Sequence, residues 1–167
     1  GASTRLVENL VGARKRYRAR INLGVETDTY DAAGKVRSRR DSSKVTPAAV
    51  EEALSSFHGE LLQVPPAFSA VKLAGERAYR MARRGEQPKL EPRPVTIFEL
   101  TLVKCVLPAL EIEVECGKGF YMRSLAHDLG EVLGVGGHLS SLCRTVVGPF
   151  RIKDAVSLDD AVLRLEA

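Results

Sequence analysis

An arginine, Arg123, stands where the sequence changes from a strand-like to a helix-like pattern. The alternating run ALEIEVEC ends at Gly117, and residues 117–134 then read GKGFYMRSLAHDLGEVLG. The first turn of a helix favours anions, because the helix dipole is positive there. An arginine in that turn indicates pairing with a carboxylate or a phosphate. A solvated arginine on an exposed helix start is the commoner explanation when the pattern stands alone.

Two basic segments could bind a phosphate or a nucleobase. In residues 117–119, GKG, glycines flank Lys118 and allow the backbone to approach a phosphate closely. The segment is too short for a P-loop, so a turn between strand and helix explains it better. In residues 16–18, RYR, Tyr17 could stack on a base while the arginines contact phosphates. A half-buried tyrosine in an ordinary strand is the commoner case.

Two carboxylates, Asp28 and Asp31, lie close together in the segment TDTYDAAG. Paired carboxylates can carry out acid–base chemistry or bind Mg²⁺. Aspartate and glycine in a loop more often form turns, because the short carboxylate hydrogen-bonds nearby backbone. We therefore interpret this segment as a turn-forming loop.

The basic residues are concentrated in the first half of the chain. Residues 1–93 contain 18 Lys and Arg against 11 Asp and Glu, a net charge of +7, whereas residues 94–167 have a net charge of −3. Tyrosines are interleaved with the cations in RKRYR and ERAYRMARRGE. This pattern favours a polyanionic partner, nucleic acid first. A solvated surface without a partner has the same composition.

The composition limits the class of protein. A chain of 167 residues is typical of one domain, 1–167, and no apolar run approaches the ~18 residues of a membrane span. The three cysteines lack metal-ligand spacing, which predicts a reduced, cytoplasmic protein without a metal site. The chain opens without Met, and STRLVENLVG already has a helical pattern. We therefore expect a piece of a longer protein.

Strands and helices do not alternate regularly along the chain. The patterns predict strands at 16–23, 35–40, 95–103, 109–116 and 145–152, and helices at 46–57, 75–84, 122–133, 138–144 and 157–165. Thr46 and Pro47 suit the first positions of their helix, and Ser157 suits the cap of the last one. Because a βαβ unit is not repeated, we expect an α+β fold with a mixed or mainly antiparallel sheet.

Four segments in this order resemble the TruB-type tRNA pseudouridine synthases. They are GASTRLVENLVGARKRYRARINLGVETDTYDAAG, QVPPAFSAVKLAGERAYRMARRGE, RPVTIFEL and GKGFYMRSLAHDLGEVLGVGGHLSSLCRT, which together cover most of the chain. The resemblance implies the pseudouridine synthase fold and isomerisation of a T-loop uridine of tRNA, with no cofactor or metal. The target base must leave its stack to be reached.

The resemblance also assigns roles to single residues. Tyr17 matches the active-site tyrosine that lies against the target base and is a candidate for late proton removal from C5. Arg123 matches the arginine that pairs with the catalytic aspartate. Tyr121 is expected to line the pocket, and Leu142 matches an apolar residue that packs near the base.

An insertion at about residues 61–93 resembles the segment that closes over the T loop of the RNA. It contributes most of the cations expected to contact phosphates. The candidate RNA-binding residues are Lys15, Arg16, Lys72, Arg77, Arg80, Arg83, Arg84 and Lys118. The expected partner is the T arm of tRNA, bound by a monomer.

One part of the family pattern is absent from these residues. The catalytic aspartate of the family lies in a Gly-x-Leu-Asp-Pro-like motif upstream of the segment that residues 1–5 resemble, and no Leu-Asp-Pro occurs in the chain. We therefore expect the 167 residues alone to be inactive. Asp28 and Asp31 match a different family segment and are not nucleophile candidates.

Two alternatives remain at this point. The chain could be a non-catalytic tRNA-binding module derived from a synthase, because the aspartate motif is missing. It could also be an α+β protein whose basic surface has no partner. The upstream coding sequence distinguishes the first alternative from an enzyme, and salt-sensitive binding of a T-arm hairpin excludes the second.

Overall fold

The computed structural model describes residues 10–166, with side chains described up to residue 162. Most of the helix predicted at the beginning of the chain therefore lies outside the described residues. The strands are β1 (Lys15–Leu23), β2 (Val25–Thr27), β3 (Val36–Arg39), β4 (Gly59–Gln63), β5 (Lys72–Leu73), β6 (Glu76–Arg77), β7 (Arg93–Val106), β8 (Ala109–Cys116), β9 (Gly137–Val147) and β10 (Phe150–Arg151). The helices are α1 (Pro47–Ser55), α2 (Ala78–Arg83), α3 (Met122–Val132) and α4 (Leu158–Glu166).

A six-stranded sheet organises the described part of the chain. Its strand order is β10-β9-β1-β8-β7-β4, and every neighbouring pair of strands is antiparallel. Two small hairpins, β2–β3 and β5–β6, lie outside it. The predicted α+β fold with a mainly antiparallel sheet is confirmed. No helix within residues 10–166 has the length and apolar character that crossing a bilayer requires.

Helices α1 and α3 pack against one face of the sheet and form the core with it. In β8 the residues Leu110, Ile112, Val114 and Cys116 are buried while the glutamates between them are partly exposed. This is the alternation that the run ALEIEVEC predicts for a strand with one covered face. The core joins these residues to Ile21 of β1, Val50 and Leu54 of α1, and Leu125 and Leu129 of α3.

The opposite face of the sheet carries a row of paired charges, which we call the Arg/Glu ladder. Three arginines of β1 stand opposite three glutamates of β8 in the strand register: Arg16 opposite Glu115, Arg18 opposite Glu113, and Arg20 opposite Glu111. Nη2 of Arg16 lies 2.8 Å from Glu115 Oε2 and 2.7 Å from Glu99 Oε2. Nη2 of Arg18 lies 3.1 Å from Glu111 Oε2. Two of these three arginines are therefore ion-paired with glutamates of neighbouring strands.

The predicted helix caps are confirmed. Thr46 Oγ1 accepts a hydrogen bond from Ala49 N at 3.2 Å, and Pro47 is the first residue of α1. Ser157 Oγ accepts a hydrogen bond from Asp160 N at 3.1 Å at the start of α4. Both caps satisfy backbone N–H groups that have no partner within their own helix.

The helix predicted at 138–144 is wrong, because these residues belong to β9. The backbone of β9 pairs with β1 from Gly137 opposite Leu23 to Val147 opposite Lys15, with two register shifts. Pairing along a long central strand outweighs the weak local preference of HLSSLCR. The strand predicted at 145–152 is divided between the end of β9 and β10.

The segment between β4 and β7 contains a small hairpin followed by a short helix. Residues 61–63 of the expected insertion lie in β4, within the main sheet. The β5–β6 hairpin and α2 follow, and Ala78 N and Tyr79 N donate to the carbonyls of Val71 and Ser69. The helix predicted at 75–84 is present over a shorter range, as α2.

Helix α3 and the beginning of β9 approach each other at a pair of glycine-containing segments. A Cβ added to Gly130 of α3 would lie 2.1 Å from Gly137 N and 2.2 Å from the carbonyl carbon of Gly136. The Gly130 carbonyl also accepts hydrogen bonds from Val135 N and Gly136 N. Contact between the two backbones therefore requires the absence of a side chain at residue 130.

Candidate active site

The guanidinium of Arg123, in the first turn of α3, joins three different segments. Its Nη2 donates to the Phe68 carbonyl at 2.9 Å, and its Nη1 donates to the Thr29 carbonyl at 3.3 Å. Nη1 also lies 3.4 Å from Asp31 Oδ2. Arg123 thus contacts a carboxylate of the chain, which is not the aspartate that the resemblance assigns to it. About a quarter of the Arg123 side chain, 24 %, stays exposed and can meet a further anion.

The loop of Asp31 holds its shape through hydrogen bonds of its own. Asp31 Oδ1 accepts from Thr29 Oγ1 at 2.7 Å and from Ala33 N at 3.0 Å. Asp28 Oδ1 accepts from Lys35 N at 2.8 Å. The turn-forming interpretation fits both aspartates. Sequence reasoning missed that Asp31 uses its second oxygen to contact Arg123.

Backbone hydrogen bonds fasten this loop to β9. Ala32 N donates to the Leu139 carbonyl at 3.0 Å, and Leu139 N donates to the Tyr30 carbonyl at 2.9 Å. Asp31 and Leu139 thereby form an isolated parallel bridge beside the main sheet. The carboxylate that contacts Arg123 is thus anchored to the same strand that pairs with β1.

Tyr17 and Leu142 share one face of the sheet. Tyr17 of β1 stands opposite Arg144 of β9, and Ala19 stands opposite Leu142, two residues further along both strands. Paired residues and residues two apart on a strand point to the same side. Ala19 is buried against the core, so this is the face on which α1 and α3 pack. Leu142 remains 47 % exposed, which leaves it able to contact a ligand.

The hydroxyl of Tyr17 has a shifted acidity. Burial of the half-buried ring raises the pKa of Tyr17 above its ordinary value, and the neighbouring Arg144 guanidinium lowers it by less. The phenol is therefore neutral at neutral pH. Arg144 is not among the residues that the sequence patterns indicate. The register of β9 brings it beside Tyr17, and the sequence patterns did not predict a strand there.

A cavity of about 280 Å³ lies between the loop of Asp28 and the segment that follows β4. Tyr30 and Arg37 line it from one side, and Phe68 and Ala82 line it from the other. The Tyr30 ring stacks on His127 of α3 with centroids 3.9 Å apart. Phe68 belongs both to this cavity and, through its carbonyl, to the contacts of Arg123.

Three of the candidate RNA-binding cations have partners within the chain. Arg84 forms ion pairs with Glu76 and Glu86 of its own segment. Arg16 belongs to the Arg/Glu ladder, and Lys15 Nζ donates to the carbonyls of Val11 and Ala13. RNA binding by these groups therefore competes with contacts that they already make within the protein.

The other five candidate cations have no carboxylate within salt-bridge distance among the described side chains. They are Lys72, Arg77, Arg80, Arg83 and Lys118, all of them exposed. The guanidinium carbon of Arg83 lies over the Tyr79 ring, 5.4 Å from its centroid. Arg77 donates to the Ala70 carbonyl at 3.4 Å. Among the candidate RNA-binding cations, those of α2 and its flanking residues therefore offer most of the positive charge that has no carboxylate partner. Within the described residues, no group of three acidic, His or Cys side chains could hold a metal ion.

Comparison with known proteins identifies the family. Residues 1–122 match the model described as TruB family pseudouridylate synthase (N terminal domain), and residues 123–165 match the tRNA pseudouridylate synthase B C-terminal domain. The boundary falls in the first turn of α3 and separates no structural units, since β9 pairs with β1 across it.

Similar curated proteins are named tRNA pseudouridine synthase B. The one from Clostridium tetani is 42 % identical over 160 residues, with 96 % of this chain and 55 % of that protein covered. The one from Symbiobacterium thermophilum is 47 % identical over 163 residues, with 96 % and 54 % covered. The chain thus spans about half the length of these relatives.

A solved structure shares the fold. The chain matches one in a Cbf5-Nop10-Gar1 complex with a TM-score of 0.70 and 28 % identity, covering 96 % of this chain and 38 % of that one. The family models together match nearly all of the sequence, and the curated relatives are more than 40 % identical to it. The chain therefore belongs to the TruB family of pseudouridylate synthases.

Proposed function

We propose that the protein containing this chain converts a uridine in the T loop of tRNA to pseudouridine. The observation that carries the proposal is the arrangement around Arg123, a partly exposed cation held by two carbonyls and one carboxylate in a member of this family. In the reaction, the C1′–N1 bond breaks and a C1′–C5 bond forms. The C5 proton leaves and N1 gains a proton, so the isomerisation is balanced without a redox partner.

Arg123 has the contacts needed to position a catalytic carboxylate. Its fork offers several N–H donors, and Asp31 approaches only Nη1, at 3.4 Å. A second carboxylate, from the aspartate motif that the family carries upstream of the segment resembled by residues 1–5, can share the same guanidinium. Charge-assisted bonds of this kind hold the carboxylate ionised and fix its orientation.

Tyr17, Leu142 and Tyr121 form the proposed surroundings of the target base. The Tyr17 ring supplies a flat face, and the exposed Leu142 side chain supplies an apolar contact on the same side of the sheet. A phenol is neutral at neutral pH, and burial raises the pKa of Tyr17 further, so its proposed part in removing the C5 proton requires a proton acceptor to act with it. Tyr121 lies directly before α3, beside Arg123.

Exposed cations around α2 are the proposed contacts to the T arm. Lys72 of β5 and Arg80 and Arg83 of α2 are exposed and have no carboxylate partner among the described side chains. Phosphate contacts of this kind position the RNA and carry no sequence information. A monomeric state and a cytoplasmic location belong to the same proposal; the free cysteines fit a reducing compartment.

Release of tritium from a T-arm RNA labelled at uracil C5 tests the proposal directly, because isomerisation must expel that hydrogen. The measurement uses both the 167-residue chain and the full-length protein that contains it. Release by the full-length protein alone supports the proposal and places the nucleophile outside these residues. Release by the 167-residue chain contradicts our account of the missing aspartate. Salt-sensitive RNA binding without any release favours the non-catalytic tRNA-binding module instead.

Replacement of Tyr17 by phenylalanine separates the ring from the hydroxyl. We expect RNA affinity to change by less than about twofold, because the stacking face stays, and the single-turnover rate to fall by about 10²-fold, as for loss of a general acid–base group. Filter binding and rapid-quench tritium release measure the two quantities. A Tyr17→Phe protein with a normal rate would restrict the residue to a stacking role.

Replacement of Asp31 by asparagine removes the charge that faces Arg123 and keeps an oxygen that can accept from Thr29 Oγ1 and Ala33 N. We expect the single-turnover rate to fall by about tenfold, because a partly exposed pair at 3.4 Å contributes only about 1–1.5 kcal/mol. Asp28→Asn is the matched control, since Asp28 belongs to the same loop and accepts from Lys35 N but makes no contact with Arg123. Equal losses in the two variants would mean that Asp31 acts through loop shape alone.

A further inference from the structure

The beginning of α3 lacks the side-chain cap that usually fixes the start of a helix. Its N-cap residue is Tyr121, which makes no capping hydrogen bond through its side chain. Tyrosine has none of the short oxygen-bearing side chains that favour this position. The local sequence therefore leaves the first turn, which carries Arg123, without its own terminal restraint.

A buried glutamine on β4 supplies that restraint from outside the helix. Gln63 Oε1 accepts from Tyr121 N at 2.8 Å, and Gln63 Nε2 donates to the Tyr121 carbonyl at 3.2 Å. The same carbonyl accepts the first helical hydrogen bond, from Leu125 N at 3.1 Å. The amide thus satisfies both polar groups of one residue, as a strand partner does. Gln63 is only 2 % exposed, so water does not compete for these bonds.

Val64, the residue after Gln63, makes a second contact with the first turn of α3. Ser124 Oγ donates to the Val64 carbonyl at 2.7 Å, and Ser124 is 1 % exposed. Consecutive residues 63 and 64 therefore bind residues 121 and 124, on either side of Arg123. The Phe68 carbonyl, four residues after Val64, then accepts from the Arg123 guanidinium. One short segment determines both where the helix begins and where its arginine points.

From this geometry we propose that Gln63 is a positioning residue for Arg123, acting through the backbone of Tyr121. The inference rests on the proposed function for its catalytic consequence, and its structural part stands independently. The primary amide is required because it offers a donor and an acceptor in one plane. Alanine removes both, and an ionised glutamate would set a carboxylate against the Tyr121 carbonyl.

The first test compares Gln63→Ala with Thr46→Ala in the full-length protein. Thr46→Ala removes the cap of α1, far along the chain from α3, and serves as a destabilised control. We expect Gln63→Ala to lower the single-turnover rate of tritium release at least tenfold with RNA affinity changed less than twofold. Thr46→Ala lowers the melting temperature but keeps the rate. A rate loss in Gln63→Ala that merely follows the unfolded fraction would overturn the positioning role.

The second test uses Gln63→Glu across a pH series and remains informative where the alanine variant does not fold. A protonated carboxyl can donate to the Tyr121 carbonyl and accept from Tyr121 N, whereas the carboxylate can only accept. Burial raises the pKa of a carboxyl group, so the protonated form persists to higher pH than usual. We expect the rate relative to wild type to recover as pH falls. A ratio independent of pH between 5 and 8 contradicts the proposal.

Hydrogen exchange separates this inference from the proposed function. Gln63→Ala is expected to increase amide exchange at Tyr121 at least tenfold relative to wild type, while Thr46→Ala leaves it unchanged. This readout needs no turnover, so it decides the structural part even where the wild-type protein releases no tritium. Unchanged exchange at Tyr121 would show that Gln63 does not hold the backbone of Tyr121, whatever the activity.

Discussion

Replacement of Arg123 by alanine is expected to lower the single-turnover rate on T-arm RNA by on the order of 10²–10³-fold. The guanidinium holds Asp31, the Phe68 carbonyl and the Thr29 carbonyl, and in the proposed enzyme it also holds the catalytic carboxylate. Removing a preorganised charged group that positions a catalytic group costs about 2.7–4 kcal/mol in the reaction barrier, because the catalytic carboxylate loses both its counterion and its orientation. Tritium release under single-turnover conditions measures this loss.

Two further variants define the origin of the effect. Arg123→Lys keeps the charge and loses the planar fork, so its rate is expected to stay close to that of the alanine variant. Arg151→Ala removes an exposed arginine of β10 and should leave the rate within about twofold of wild type, as expected for surface substitutions. RNA affinity should stay near normal in all three proteins. Substantial activity in Arg123→Ala would mean that another group positions the catalytic aspartate.

Among the variants described, replacement of Gly130 by alanine is expected to cause the largest loss in the free energy of unfolding. The new Cβ would lie 2.1 Å from Gly137 N and 2.8 Å from Gly136 Cα, and these are backbone atoms that cannot rotate away. Helix α3 must then move from β9, at a cost of at least about 3 kcal/mol. For a domain of this size that corresponds to a fall in melting temperature of about 6–12 °C. Thermal and urea unfolding followed by circular dichroism measure it.

Gly12→Ala is the matched control for this prediction. Among the described residues nothing lies within 4 Å of a Cβ added there, and its backbone is outside the left-handed region. Its free energy of unfolding should change by less than about 1 kcal/mol. A Gly130→Ala protein that unfolds like this control would show that α3 and β9 can separate without cost.

Elements with strong local patterns were predictable from the sequence. The alternation in β8 follows from one covered face, and the start of α1 follows from a cap residue and a proline that act within a few residues. The position of Arg123 at a strand–helix junction also indicated an anionic partner. In each case the pattern that allowed the prediction spans a few consecutive residues, although the partners of Arg123 themselves come from distant segments.

Features set by distant partners were not predictable in the same way. β9 is a strand because it pairs with β1, more than 100 residues earlier in the sequence. The same pairing places Arg144 beside Tyr17 and Leu142 on the face shared with α3. The hydrogen bonds between Gln63 and Tyr121 join residues 58 positions apart, and neither residue type predicts them. Locating such contacts requires the register of the sheet.

The Arg/Glu ladder determines from which side a polyanion approaches the protein. Arg16 and Arg18 form ion pairs with glutamates of β7 and β8, so much of the positive field above that face is cancelled within a short distance. The cations without a carboxylate partner around α2, together with Arg37 beside the cavity, keep their positive field, and Phe68 of the same cavity holds Arg123 through its carbonyl. Under the proposed function, we therefore expect encounters with tRNA to begin on this surface, next to Arg123.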